Sequence, residues 1–309
     1  MYKRIIVLGL LTACAFFAFQ PPDEVEAANW FRIQGTESPD AKTVKVWGFV
    51  QPTYYNSASD VPPEEDFRKN DFDIRRARIG VRGIIPGSNN KANYFILSEF
   101  GRNGVTEDPN GEQTSFAVLT DASATLNYIP YAHIRFGQFK LPIGNDGLQA
   151  IQLHSYIEFS DVYAELLLER YGYDRSVGAF RDIGAEVFGW YRFGINREYE
   201  AAYAFMVGNG NGINSRDNND YKRVTAKVTL ARIFDNTMGP YRQSIEFGAW
   251  YMTGKRSGFA FAPGPSNGAP IEQQAKRGGI ELVAVKNLGK SGDIRFTGES
   301  IWASGWVFA

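Results

Sequence analysis

The chain has 309 residues, with 33 lysines and arginines against 34 aspartates and glutamates and a net charge of −1. That balance leaves no electrostatic footprint for nucleic acid, and a single cysteine, Cys14, excludes disulfide staples and thiolate metal sites. Aromatic residues make up 15% of the chain, yet beyond its first twenty residues no apolar run approaches the ~18 residues that a helical membrane span requires.

In chain order, Met1 to Ala27 reads as a secretory signal. Lys3 and Arg4 form a basic n-region and Ile5 to Phe19 an apolar h-region. Gln20-Pro21-Pro22 breaks the run, and Val25-Glu26-Ala27 offers a small-x-small cleavage site. Leu11-Thr12-Ala13-Cys14 also fits a lipoprotein box, in which Cys14 would carry lipid. The apolar run continues through Ala15 to Phe19, which favours ordinary cleavage. On either reading the chain is exported. Residues 28–309 then form one domain, without a linker or a low-complexity tract.

The segments after residue 43 alternate in the manner of strands. Val44 to Tyr54 comes first, and Asn56 to Asn70 follows as an acidic, proline-containing loop. Asp71 to Ile85 places Arg76, Arg78, Gly80 and Arg82 on one face and Ala77, Ile79, Val81 and Gly83 on the other. Ala92 to Phe100, Phe116 to Ile129 and His133 to Phe139 continue the series. Beyond residue 180, alternating runs cover Ile183 to Phe193, Tyr199 to Val207, Arg223 to Leu230 and Ser244 to Tyr251. Less regular runs lie near Gly279 to Lys286 and Ile294 to Trp302. A soluble sheet mixes charge signs on its wet face, whereas a transmembrane barrel turns apolar groups to lipid and polar groups to a water-filled interior.

Connection lengths support the barrel. Short turns at Pro86-Gly87, Pro130-Tyr131, Asn196-Arg197 and Asp235-Asn236 alternate with long polar excursions. These run over Asn56 to Asn70, Gly101 to Thr114, Leu141 to Phe180, Gly208 to Asp220 and Gly254 to Arg277. Short turns on one side and long loops on the other characterise outer-membrane barrels. The predicted fold is therefore all-β, a transmembrane antiparallel β-barrel.

The run Phe72…Arg75-Arg76-Ala77-Arg78, the Asp121-Ala122 strand, and Gly137-Gln138-Phe139-Lys140-Leu141-Pro142-Ile143-Gly144 carry a resemblance. With the stretch Glu165 to Arg170 and the opening Arg181-Asp182-Ile183-Gly184, they make the chain resemble the phosphate-selective porin O and P family of Gram-negative outer membranes. The resemblance covers roughly Val44 to Tyr251. It implies a sixteen-stranded barrel, homotrimeric and surrounded by outer-membrane lipid, that passes small anions through a constriction made by an infolded loop. At about 18–22 residues per strand with its connection, the chain after Ala27 yields roughly 12 to 15 strands. It ends on Phe308-Ala309 rather than on phenylalanine, so a smaller or truncated member is expected, and a truncated open barrel is expected not to insert stably.

Passive diffusion of small hydrophilic solutes needs fixed charges on the wet wall. The anion-attracting candidates are Arg76, Arg78 and Arg82, then Arg135, Lys140, Arg223 and Lys227. Guanidinium forks suit oxyanions, phosphate among them, and a strand repeats them every ~6.6–6.8 Å along one face. The competing reading is that these cations offset wall carboxylates such as Asp121, Glu186 and Glu246. Leu141 to Phe180, with a helical look over Asp161 to Arg170, is the predicted constriction loop, against the alternative that Ile151 to Phe159 hides another strand.

Enzyme readings find little. His133 and His154 are isolated, and no cofactor or metal motif is present. Glu165 and Glu169 read as a solvated helix face. Asp217-Asn218-Asn219-Asp220 lacks the spacing of a calcium loop, and no helix start follows Gly208 to Gly212 to make a phosphate cradle. The alternative class is an exported β-rich binding or structural protein, soluble or lipid-anchored at Cys14.

Overall fold

Alternating sequence becomes one continuous antiparallel meander. The computed structural model describes residues 12–16, 37, 41–56, 70–89, 91–107, 115–154, 159–167, 180–217, 219–235, 242–259, 270–289 and 292–305. Its strands are β1 (Thr12–Phe16), β2 (Lys45–Asn56), β3 (Asn70–Ile84), β4 (Ala92–Glu99), β5 (Val118–Ile129) and β6 (Ala132–Lys140). After the insert come β7 (Arg181–Phe193), β8 (Tyr199–Gly208), β9 (Arg223–Ile233), β10 (Ser244–Phe259), β11 (Pro270–Asn287) and β12 (Asp293–Ser304). From β2 to β12 each strand pairs with the next in sequence. The fold is the all-β, antiparallel barrel class that the alternation predicts. Among the described residues no ladder joins the two edges of the sheet.

β1 lies on the outer edge of β12, with Thr12 opposite Thr297 and Phe16 opposite Asp293. It falls within the stretch read as an export signal. Cleavage after Ala27 would remove it and leave β12 as the sheet edge. The rest of that signal, residues 57–69 and 108–114 of the predicted loops, Glu169 and the Phe308-Ala309 end lie outside the described residues.

The two faces separate cleanly. On β8, Glu200, Ala202, Ala204 and Met206 are buried, while Tyr203, Phe205 and Val207 are exposed. On β9, Lys227 is 1% exposed and its neighbour Val228 is 58% exposed. Ile245, Phe247 and Tyr251 continue the exposed apolar face on β10, as do Ile280 and Leu282 on β11. Charge inside and aliphatic and aromatic groups outside invert the soluble pattern and match a sheet wrapped in lipid. Near the short turns, Tyr131 packs edge-on to Tyr191 at 5.3 Å, and Phe193 stacks on Tyr199 at 5.5 Å. Exposed rings grouped at one strand end are the aromatic girdle of a membrane interface.

The described residues of the insert, 141–154, 159–167 and 180, lie against the inner face. They contain α1 (Asn145–Leu148), a 3-10 turn over Ile151–Leu153 and α2 (Asp161–Leu166). The alternative of a hidden strand over Ile151 to Phe159 is thus corrected: residues 151–153 turn helically, and 155–158 lie outside the described residues. Leu141, Ile143, Tyr163, Leu167 and Phe180 pack with Phe139, Met206, Trp250, Met252 and Ile301, which come from β6, β8, β10 and β12. One cluster touching strands so far apart in sheet order requires the sheet to curl around the insert.

The predicted loop Gly254 to Arg277 is also corrected. Pairing of β10 with β11 continues from Gly254↔Ala275 out to Phe259↔Pro270. This outer segment is polar and carries no apolar alternation, because a hairpin standing clear of lipid has no face to bury.

Candidate functional site

The lumenal wall is built by parity. Arg76 and Arg78 are buried on β3, opposite Gln51 and Phe49 of β2, whereas Ile79 between Arg78 and Gly80 is exposed. Arg78 Nε donates to Glu99 Oε2 at 2.6 Å, and the other oxygen of Glu99 accepts the backbone N–H groups of Ala77 and Gly101. Arg76 Nη1 donates to Gln51 Oε1 at 3.3 Å, and its guanidinium lies 5.9 Å from the Phe159 ring centre on the insert. Arg82 pairs with Glu37 and sits over Phe95.

On β6, Arg135 reaches Glu186 at 3.2 Å and lies between the rings of Phe188 and Phe139, at 4.5 and 5.2 Å. Past Arg135 the strand makes room at Gly137, whose φ is +123°; a Cβ there would overlap the carbonyl of Ala122. At the end of β6, Lys140 Nζ donates to the carbonyl oxygens of Gln149 at 2.9 Å and Leu148 at 3.5 Å. Arg223 on β9 faces Asp182 at 4.0 Å and donates to the Gly210 carbonyl. Lys227 pairs with Glu281 and donates to the Ile143 carbonyl at 3.0 Å.

All seven predicted cations therefore lie on the inner side, and among the described residues five of them are shown facing a carboxylate. Further inward charges were not singled out by sequence reasoning. Arg181 reaches Asp121 at 3.0 Å, Arg242 bridges Glu200 at 3.0 Å and Glu246 at 3.7 Å, and Arg277 donates to the Leu166 carbonyl. Two signals could have found them. Arg242 shares the parity of Ser244 and Glu246, and Arg181 stands opposite Lys140 once β6 is paired with β7.

Charge is unevenly distributed around the wall. Arg76, Arg78, Lys140 and Arg181 share one sector with the carboxylates of Glu99 and Asp121. Across the insert, Glu246, Glu281 and Glu299 lie around Lys227, with Glu281 directly opposite Glu299 in the β11–β12 ladder. Tyr163 Oη donates to both oxygens of Glu299, at 2.8 and 2.9 Å. Burial first, then the charges of Glu299 and Glu281, push the Tyr163 phenol well above its usual value, so it keeps the proton that it donates. In the insert, His154 lies 3.3 Å from Asp146, and burial followed by the Lys140 charge lowers its pKa to about 3.

No group of three His, Cys, Asp or Glu side chains among the described residues is arranged to hold a metal ion. His133 stacks on Trp190 with ring centres 4.7 Å apart, and its Nδ1 contacts Asn127 Oδ1 at 2.7 Å, remote from His154 in the insert.

No curated protein matches the chain. Among solved structures, OmpF of Salmonella typhi in complex with daunomycin is similar at 12% identity and a TM-score of 0.31, over 84% of this chain and 97% of that one. A mutant porin of Rh. blastica shows 10% identity and a TM-score of 0.29, over 84% and 100% of the two chains. The outer-membrane protein OmpT of Vibrio cholerae, in a trimer form, shows 10% identity and a TM-score of 0.22, over 86% and 100%. The family described as Phosphate-selective porin O and P matches residues 54–305. The match spans nearly every strand of the meander, and the chain belongs to the phosphate-selective porin O and P family, the pore proteins of the outer membrane.

Proposed function

We propose that this porin conducts small hydrophilic anions in preference to cations, with inorganic phosphate among its solutes, and that the insert 141–180 narrows the path. The observation that carries the reading is the excess of cations in the sector of β3, β6 and β7. There Arg76, Arg78, Lys140 and Arg181 stand alongside the carboxylates of Glu99, Asp121 and Asp146, and Arg76 and Lys140 contact the insert. An anion entering that sector meets a positive field in a space narrowed by protein, where charges act more strongly than in bulk water. The many wall ion pairs temper the field, which suits a pore that must release what it attracts. A homotrimer in outer-membrane lipid, which the family resemblance implies, belongs to the same proposal.

The test is a reversal potential in planar bilayers under a KCl gradient, repeated with potassium phosphate. Anion preference places the potential on the chloride side. A cation-selective potential would refute the assignment of the basic sector as the controlling field. Recovery in the soluble periplasmic fraction, with no heat-modifiable migration on gels, would sink the pore reading itself.

A further inference from the structure

Among the described residues, Lys140 and Lys227 of the seven lumenal cations donate to the insert's backbone. Lys140 donates to the carbonyls of Leu148 and Gln149, and Lys227 to that of Ile143. Arg277 treats the Leu166 carbonyl in the same way. Together these ties attach the insert to β6, β9 and β11. At β12 the attachment is closer. Tyr163 of α2 donates to both oxygens of Glu299, and Gly144, just before α1, lies against the same carboxylate. A Cβ at Gly144 would overlap both Glu299 Oε1 and the Tyr163 hydroxyl. The φ of Gly144 is −48°, which any residue can adopt, so only the space demands glycine here. Trp250 Nε1 completes the seat, 3.4 Å from Glu299 Oε1.

We propose that Gly144, Tyr163 and Glu299 form the seat that fixes the insert in the lumen, and that Lys140 and Lys227 are positioning residues of the insert rather than direct contacts of the solute. This rests on the reading of the chain as a pore narrowed by residues 141–180. Buried carbonyls left by the insert's short helical turns need donors, and a wall cation supplies a charge-assisted one. The arrangement separates two roles within one set of charges: Lys140 at the end of β6 and Lys227 on β9 hold the insert's backbone, whereas on β3 Arg76 meets a ring of the insert, Phe159, and Arg78 is held by Glu99.

Three substitutions at the seat separate position from charge. Gly144→Ala adds only a methyl group. Tyr163→Phe removes only the donated hydrogen bond. Glu299→Gln removes a charge and keeps an acceptor for the Tyr163 proton. Each variant is refolded, checked for heat-modifiable migration and recorded as single channels in KCl beside the wild-type protein. Gly144→Ala and Tyr163→Phe are expected to raise the conductance and replace one stable level by transitions between several, with the sign of the reversal potential unchanged. Glu299→Gln is expected to keep the single stable level. Wild-type-like conductance and noise in both Gly144→Ala and Tyr163→Phe would overturn the seat, as would multiple levels in Glu299→Gln equal to those of Tyr163→Phe. A wild-type protein that forms no channels would instead overturn the underlying pore reading.

Discussion

At the residue scale, the lumenal charges are held by contacts of several kinds, and His154 shows what that costs. Its imidazole lies beside Asp146, yet burial dominates, and Lys140, Arg295 and Arg76 add positive charge around it. The result is a pKa of about 3 against an ordinary value of 6.5. A histidine with a depressed pKa is neutral in the docked insert down to about pH 3. A released insert takes up a proton below about 6.5. Docking is therefore at full strength above pH 6.5 and weakens as pH falls from there toward 3. Single-channel noise recorded from pH 7.5 to 4 should rise as the solution is acidified. Wall carboxylates titrate over part of the same range, so His154→Gln supplies the comparison: its noise should depend less on pH than that of the wild type. Equal pH profiles for the two proteins would show that His154 does not set the docking.

At the element scale, the strands obey the two-residue period wherever lipid enforces it. β9 alternates buried positions with half-buried and then exposed ones from Arg223 to Ile233, and its midpoint sets Lys227 inside beside Val228 outside. Val228→Arg places a guanidinium in lipid near the middle of the span, at a cost of about 2–4 kcal/mol. Urea unfolding of the protein refolded into vesicles should show that loss, with Val228→Ile close to wild type. An unchanged midpoint for Val228→Arg would place Val228 outside the hydrocarbon. The same period explains what was legible in the sequence. β3 and β7 to β9 could be read nearly to their ends, because a one-residue slip would turn arginine or glutamate to lipid. The 16-residue β10 and the 18-residue β11 could be read only over their inner halves. A tilted span uses about 9–11 residues, so the remainder of each strand stands beyond the bilayer and shows no pattern. The insert was legible as a long interruption with a helical segment. Its contacts with Glu299 and Arg277 were not, because they join residues more than a hundred positions apart and depend on how the sheet curls.

At the scale of the whole molecule, the curled sheet decides which charges act on a solute. Sequence parity assigns an arginine to the inner face but does not say whether a carboxylate on a neighbouring strand meets it. Arg78 and Arg135 are met in this way by Glu99 and Glu186. On the proposed reading, the field on an anion comes from the cations of β3, β6 and β7, while Arg242, Arg277 and Arg295 offset Glu246, Glu281 and Glu299 across β10 to β12. Arg76 belongs to the positive sector and lies over the Phe159 ring of the insert. Arg76→Gln removes one charge there and should move the reversal potential toward the cation side. Arg232→Gln makes the same chemical change on the exposed face of β9 and should leave the potential where it was. Screening supplies an internal control. The Debye length falls from about 10 Å at 0.1 M salt to about 3 Å at 1 M, so the difference between wild type and Arg76→Gln should shrink as KCl is raised. If Arg232→Gln shifted the potential as far as Arg76→Gln, the preference would come from surface charge outside the lumen, and the segregated wall would have no part in selecting the ion.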